Sequence, residues 1–92
     1  MKYSPGVFRI DITPAARKQL NHLDKSVQIR LRPAIDALAN EPIPPGAKKL
    51  KAMGVDPLWR IRVGDYRIVY KVEGHRLVVL IVKIGHRREV YR

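Results

Sequence analysis

The fold of this chain is decided by residues 58–73, which read Leu58-Trp59-Arg60-Ile61-Arg62-Val63-Gly64-Asp65-Tyr66-Arg67-Ile68-Val69-Tyr70-Lys71-Val72-Glu73. Apolar and polar residues alternate on both sides of Gly64-Asp65, which predicts two strands joined by a two-residue turn. Glycine at the first central position is typical of a type II′ turn, and this register sets Arg62 opposite Arg67. Like charges directly across a strand pair destabilise it. We therefore expect an anionic ligand to offset the repulsion at this hairpin.

The residues before the hairpin predict one strand and two helices. Residues 7–12 alternate in polarity like a half-buried strand, and Thr13-Pro14 is typical of a helix start. A second helix is expected from Asp24, with a kink at Pro33, because Val27, Leu31, Ala34, Ile35 and Leu38 form one apolar stripe. The turn-rich residues 41–46 then predict a loop.

The remaining residues complete an α+β pattern. Residues 48–51 predict a short edge strand and residues 76–84 a central strand, with a Gly74-His75 turn pairing Glu73 with Arg76. The order predicts an α+β fold, an antiparallel sheet with a two-helix hairpin packed on one face. These registers predict a core face that includes Leu77 and, at the end of the strand, Lys83. They predict a free face that carries Arg60, Arg62, Arg67 and Lys71 beside four exposed aliphatic residues, Val69, Val78, Leu80 and Val82.

Two interpretations of that free face stay open. Charged residues on the wet side of a sheet are usually just solvated. An apolar patch rimmed by charge, however, often marks a binding surface. The end of the chain, Gly85-His86-Arg87-Arg88-Glu89-Val90-Tyr91-Arg92, adds an imidazole, guanidinium groups and a phenol, which suit acid-base chemistry and phosphate binding. His22 and His75 are expected at the surface.

Composition favours a polyanionic partner. The 92 residues carry 19 Lys and Arg against 8 Asp and Glu, a net charge of +11. Nucleic acid is the expected polyanion, whereas the strand-like spacing of the charges disfavours a membrane surface. The chain has no cysteine, no apolar run long enough to span a bilayer and no apolar segment typical of export near Met1, so we expect a soluble cytoplasmic protein.

The sequence resembles the RelE/ParE superfamily of type II toxins, and specifically its RelE branch. The resemblance lies in the order of elements, Lys49-Leu50-Lys51, the Trp59–Tyr70 stretch, Gly85-His86-Arg87 and Val90-Tyr91. It covers nearly the whole chain and implies a single RelE-like toxin domain over residues 1–92. It also implies a ribosome-dependent endoribonuclease, an mRNA interferase that inhibits translation. A cognate antitoxin, RelB-like and acidic, would neutralise it and could carry the complex to operator DNA.

The resemblance also implies the site residues. The catalytic group would be Arg60, Arg62, Arg67, His86, Arg87 and Tyr91, and Lys49, Lys51, Lys71 and Arg88 would contact the RNA. A ribose 2′-hydroxyl would attack the adjacent phosphate, which requires no metal or cofactor. Lysines are usual in the family where Arg60 and Arg62 stand. Because arginine stays protonated, the general base would be Tyr91 or His86.

Two other functions stay open. The chain could be a ParE-like poison of DNA gyrase without nuclease activity. It could also be an attenuated toxin that binds RNA, because the arginines at positions 60 and 62 could lower turnover.

Overall fold

The computed structural model describes residues 7–50 and 57–86, which form two helices and one five-stranded sheet. The elements are β1 Arg9–Ile12, α1 Pro14–Asn21, α2 Lys25–Ala37, β2 Lys48–Leu50, β3 Leu58–Val63, β4 Tyr66–Glu73 and β5 Val78–His86. The predicted α+β fold is confirmed, and β3 and β4 have the predicted bounds. None of the helices in these two ranges is long and apolar enough to cross a membrane.

The strands lie in the order β1-β5-β4-β3-β2. Strands β2 to β5 form the expected antiparallel arrangement, whereas β1 pairs with β5 in parallel, with Ile12 opposite Ile81. The sheet is therefore mixed, not wholly antiparallel as expected. Parallel strands need a long crossover between them, and here the crossover includes both helices.

The helices begin where the sequence predicts. The Thr13 side chain accepts a hydrogen bond from the Ala16 amide, 3.1 Å away, and caps α1. Asp24 holds the N-cap position of α2, although its side chain makes no capping hydrogen bond to the described residues. Helix α2 runs on through Pro33. A proline at position 33 has no amide hydrogen, so the carbonyl of Ile29 loses the hydrogen bond it would otherwise accept within the helix. The expected kink stays a prediction.

The core lies between the helices and one face of the sheet. The apolar stripe of α2 packs there with Ile61, Ile68, Tyr70, Val79 and Ile81. Helix α1 is also tied to the sheet, because the Gln19 side-chain oxygen accepts a hydrogen bond of 2.8 Å from the Ile84 amide. The Tyr70 hydroxyl donates a hydrogen bond of 2.7 Å to the Pro42 carbonyl, which holds the predicted loop after α2 against the sheet.

The start of β5 differs from the prediction. Glu73 pairs with Val78 and not with Arg76, so residues 74–77 form a four-residue connection. Arg76 donates to the Glu73 carboxylate at 2.9 Å, and its amide bonds the Glu73 carbonyl, which stabilises a local turn. Leu77 adopts a left-handed φ of 55° and is 46% exposed, so its predicted core position is wrong.

An irregularity in β5 changes the faces of the residues that follow it. Tyr70 pairs with Ile81 but Val69 pairs with Lys83, so β5 carries one extra residue between these pairs. Ile84 consequently enters the core, and Lys83 shares a face with Val69. The predicted position of Lys83 on the core side is therefore wrong.

Candidate nucleic-acid interface

The hairpin has the predicted turn. Gly64 has φ of 60°, whereas Asp65 does not have a positive φ, which matches a type II′ turn. Val63 pairs with Tyr66 and Arg62 with Arg67, as predicted. Side chains directly opposite each other begin about 5 Å apart at Cβ. The structure therefore places two guanidinium-bearing side chains beside each other at one end of the sheet.

These arginines lie on the face turned away from the helices. Cross-strand partners project to the same face and neighbours along a strand to opposite faces. Because Ile61 and Ile68 enter the core, Arg60, Arg62 and Arg67 project from the other face. Lys71, opposite Leu58 and Leu80, shares that face. The predicted basic face is thus confirmed for these four residues.

Two further lysines belong to this face. Lys48 on β2 pairs with Arg60, and Lys83 on β5 pairs with Val69, which is itself opposite Arg60. These two lysines, with Arg60 and Val69 between them, form one row across four strands. The sequence predicted that Lys48 lies on an edge strand but did not predict which residue pairs with it. It also gave no sign of the extra residue in β5, which is why the position of Lys83 on this face was not predicted. We call the six residues Lys48, Arg60, Arg62, Arg67, Lys71 and Lys83 the basic face.

Two arginines of the basic face are buried. Arg60 is 6% exposed and Arg67 is 7% exposed, whereas Arg62 is exposed. Within residues 7–50 and 57–86, neither Arg60 nor Arg62 forms an ion pair with a carboxylate. The Nε atom of Arg60 is also buried without a hydrogen-bond partner among those residues. Because no carboxylate among those residues pairs with it, the buried Arg60 adds positive charge to this face, which favours an anionic ligand.

The aliphatic residues of this face are less exposed than expected. Val69 is 6% exposed and Val78 is 4% exposed, so both are buried. Leu80 and Val82 are half-buried. The predicted patch of four exposed aliphatic residues is therefore wrong, and charge, not apolar area, characterises the face.

The structure separates His86 from the arginines. His86 pairs with Tyr66, and the two rings meet edge to face with centroids 5.7 Å apart and an interplanar angle of 80°. Tyr66 packs against the core, so both rings lie on the helix side of the sheet. Arg67 projects to the other side. The extra residue in β5 causes this outcome, because it sets the face of every later residue.

The other predicted site residues have different outcomes. Lys49 pairs with Trp59, whose side chain packs against the core, so Lys49 does not join the basic face. Four predicted site residues lie outside the described residues: Lys51, Arg87, Arg88 and Tyr91. His22 and His75 are exposed, as predicted.

The family follows from comparison with known proteins. Residues 10–91 match the family model for the ParE toxin of type II toxin-antitoxin systems, parDE. The chain belongs to this toxin family. The toxin is 29% identical over 86 residues to a Methanocaldococcus jannaschii protein named RelE1. The aligned residues cover 92% of the toxin and 96% of that protein. The predicted membership of the RelE/ParE superfamily is confirmed.

Solved structures agree with this assignment. The toxin is similar to RelE in the archaeal RelE-RelB complex from Pyrococcus horikoshii, with a TM-score of 0.79 and 32% identity over 90% of the toxin and 98% of that chain. It is also similar to the isolated Escherichia coli RelE toxin, with a TM-score of 0.70 and 27% identity over 91% of the toxin and 90% of that chain. The fold and the RelE-like order of elements therefore extend over almost the whole toxin.

Proposed function

We propose that this toxin is a ribosome-dependent endoribonuclease that cleaves mRNA and so inhibits translation. The observation that carries the proposal is the pairing of Arg62 with Arg67 on a sheet face that also holds Arg60. RNA is proposed as the substrate because the chain is similar to RelE proteins. The proposal does not depend on similarity to a particular nuclease site. The reaction is attack of a ribose 2′-hydroxyl on the adjacent phosphate, which forms a 2′,3′-cyclic phosphate as the bond from phosphorus to the 5′-oxygen of the next nucleotide breaks.

The paired arginines would stabilise the transition state. The attacked phosphate gains negative charge on its equatorial oxygens, and guanidinium groups donate to such oxygens in a bidentate manner. Arg62 and Arg67, which are cross-strand partners, would do this from two strands. Arg60 is buried next to them in the sheet and stays protonated, so it would add fixed positive charge and would not accept a proton.

Proton transfer is assigned to the end of the chain. The position of His86 beside Tyr66 favours Tyr91 over His86 as the general base. Cations near the Tyr91 phenol would ease its deprotonation. Arg87 would orient or protonate the leaving 5′-oxygen, which departs as a 5′-hydroxyl group. Lys71 and Arg88 would bind flanking phosphates, and Lys51 would extend this contact. Lys49 is less suited to it, because its partner Trp59 faces the core. No metal or cofactor takes part in this scheme.

The proposal includes a protein partner. The similar structure from P. horikoshii is a RelE-RelB complex. An acidic antitoxin would match the net charge of +11 and would cover the basic face, thereby blocking access of RNA. Binding of the complex to operator DNA would come through the antitoxin. Action on ribosome-bound mRNA would place the toxin in the cytoplasm.

Induced expression followed by mapping of mRNA ends tests the proposal. We expect new ends within translated reading frames, and none when translation initiation is blocked. The matched family model carries the name ParE, so gyrase poisoning is the alternative that the experiment must separate. Growth arrest with intact mRNA and accumulated DNA breaks would refute the nuclease and select that alternative.

A further inference from the structure

A cavity of about 630 Å³ lies where the basic face meets the helix side of the sheet. Strand β2 starts at Lys48, opposite Arg60, so no described strand pairs with β3 beyond Arg60 on that side. The cavity occupies this open edge. The C-terminal half of α2 lines one side, and the loop that follows α2 lines another. Its volume is in the range of small-ligand sites.

One part of the cavity is cationic. Lys48, Arg60 and Arg62 line it, and none of the other lining residues is acidic. Lys48 and Arg62 are exposed, whereas Arg60 is 6% exposed, with a buried Nε that has no hydrogen-bond partner in the described part of the chain. Two exposed cations, Lys48 and Arg62, together with the positive charge of the buried Arg60 beside them, are suited to a phosphate group.

The remaining residues that line the cavity are apolar or small. Pro44 and Pro45 line it from the loop, and Ala37 lines it from α2. Small and flat side chains leave space for a planar ring. The loop is anchored nearby, because the Tyr70 hydroxyl donates to the Pro42 carbonyl at 2.7 Å. The wall is therefore attached to the core.

We propose that this cavity binds one nucleotide of the RNA, next to the phosphate held by Arg62 and Arg67. The base would lie against the proline wall, and Lys48 would bind its phosphate while the buried Arg60 adds positive charge beside it. Because Arg60 and Arg62 belong to both the cavity and the basic face, an RNA strand that crosses the basic face would enter the cavity directly. This inference rests on the proposed function for its choice of RNA. It adds Lys48 and Ala37 as residues that determine nucleotide binding.

Titration of the purified full-length toxin with the four ribonucleoside 5′-monophosphates tests the inference, with inorganic phosphate as a parallel titrant. Ala37→Leu would fill the cavity from an exposed helix position, and Lys48→Gln would remove one cation. We expect at least one nucleotide to bind about tenfold more tightly than inorganic phosphate, and each variant to weaken that binding about tenfold, a free-energy change of about 1.4 kcal/mol.

Matched controls come from the first turn of α2, away from the cavity. Ser26→Leu adds the same apolar side chain and Lys25→Gln removes the same charge, so both should bind nucleotide like the original toxin. Binding of phosphate as tight as that of every nucleotide, or nucleotide binding unchanged in Ala37→Leu, would overturn the inference. Cleavage of mRNA reports separately on the proposed function. A toxin that binds nucleotide in the cavity but leaves mRNA intact would refute only the nuclease.

Discussion

The buried phenol of Tyr70 makes a quantitative prediction about stability. Tyr70 is 0% exposed, its ring lies in the core, and its hydroxyl donates to the Pro42 carbonyl. Burial raises the pKa of Tyr70 from 10.0 to about 12. The folded toxin thus keeps the phenol protonated over a pH range in which the unfolded chain releases that proton.

The direction of the effect follows from this difference. Below about pH 10 both states are protonated, and the contribution of Tyr70 to the free energy of unfolding is complete. As pH rises from about 10 to about 12, deprotonation stabilises the unfolded state alone. Each pH unit then lowers the free energy of unfolding by about 1.4 kcal/mol, and the full interval lowers it by about 2.7 kcal/mol.

Urea unfolding of the original toxin and of Tyr70→Phe at a series of pH values measures this effect. At about pH 8 the variant should be about 1–3 kcal/mol less stable, because the Pro42 carbonyl loses its donor. All other ionisable groups are the same in both proteins, so the difference between the two isolates Tyr70. That difference should fall steadily above about pH 10 and be close to zero or reversed in sign by about pH 12. A difference that stays constant up to about pH 12 would refute the reasoning.

The remaining predictions concern the hairpin and the proton-transfer groups. Arg62→Gln should raise the free energy of unfolding, measured in urea, by a few tenths to about 1 kcal/mol, because it removes like-charge repulsion with Arg67. The same variant should cleave mRNA more slowly. A variant that is less stable and fully active would contradict both expectations. Gly64→Ala should lower the free energy of unfolding by about 1–3 kcal/mol, because φ at this position is 60°, whereas a melting temperature equal to that of the original toxin would show that the turn tolerates a side chain. His86→Gln should keep its growth arrest in induced cultures and Tyr91→Phe should lose it; the opposite pattern would assign the base to His86.

Local signals predicted the hairpin and the helix starts because each depends on a few adjacent residues. The two-residue Gly64-Asp65 turn fixes the register of β3 against β4, and with it the position of Arg62 opposite Arg67. Thr13 and Pro14 mark the start of α1 in the same way. At the turn and at the start of α1, the structure therefore has the local geometry that the residue pattern predicted.

The core positions of Val79 and Ile81 in β5 were predicted correctly, but the turn before β5 and the faces after Ile81 were not. Leu77 takes a left-handed φ that a leucine rarely adopts, so the sequence favoured a shorter turn at Gly74-His75. The extra residue between the pairs of Tyr70 and Val69 leaves no mark in an apolar run. Lys83 was placed on the wrong face for this reason.

The partner of Lys48 was undetermined for a different reason. Strands β2 and β3 are not joined by a tight turn, so no turn type fixes their register. The pairing of Lys48 with Arg60 emerged only from the structure, and with it the cationic side of the cavity.

The most direct test of the proposed chemistry is single-turnover cleavage of a ribosome-bound mRNA by the purified toxin and by Arg67→Ala. Loss of a donor to the transition-state phosphate should slow cleavage by about 10²-fold or more, while the variant still unfolds cooperatively. Equal cleavage rates for the two proteins would contradict a role for the paired arginines in the reaction.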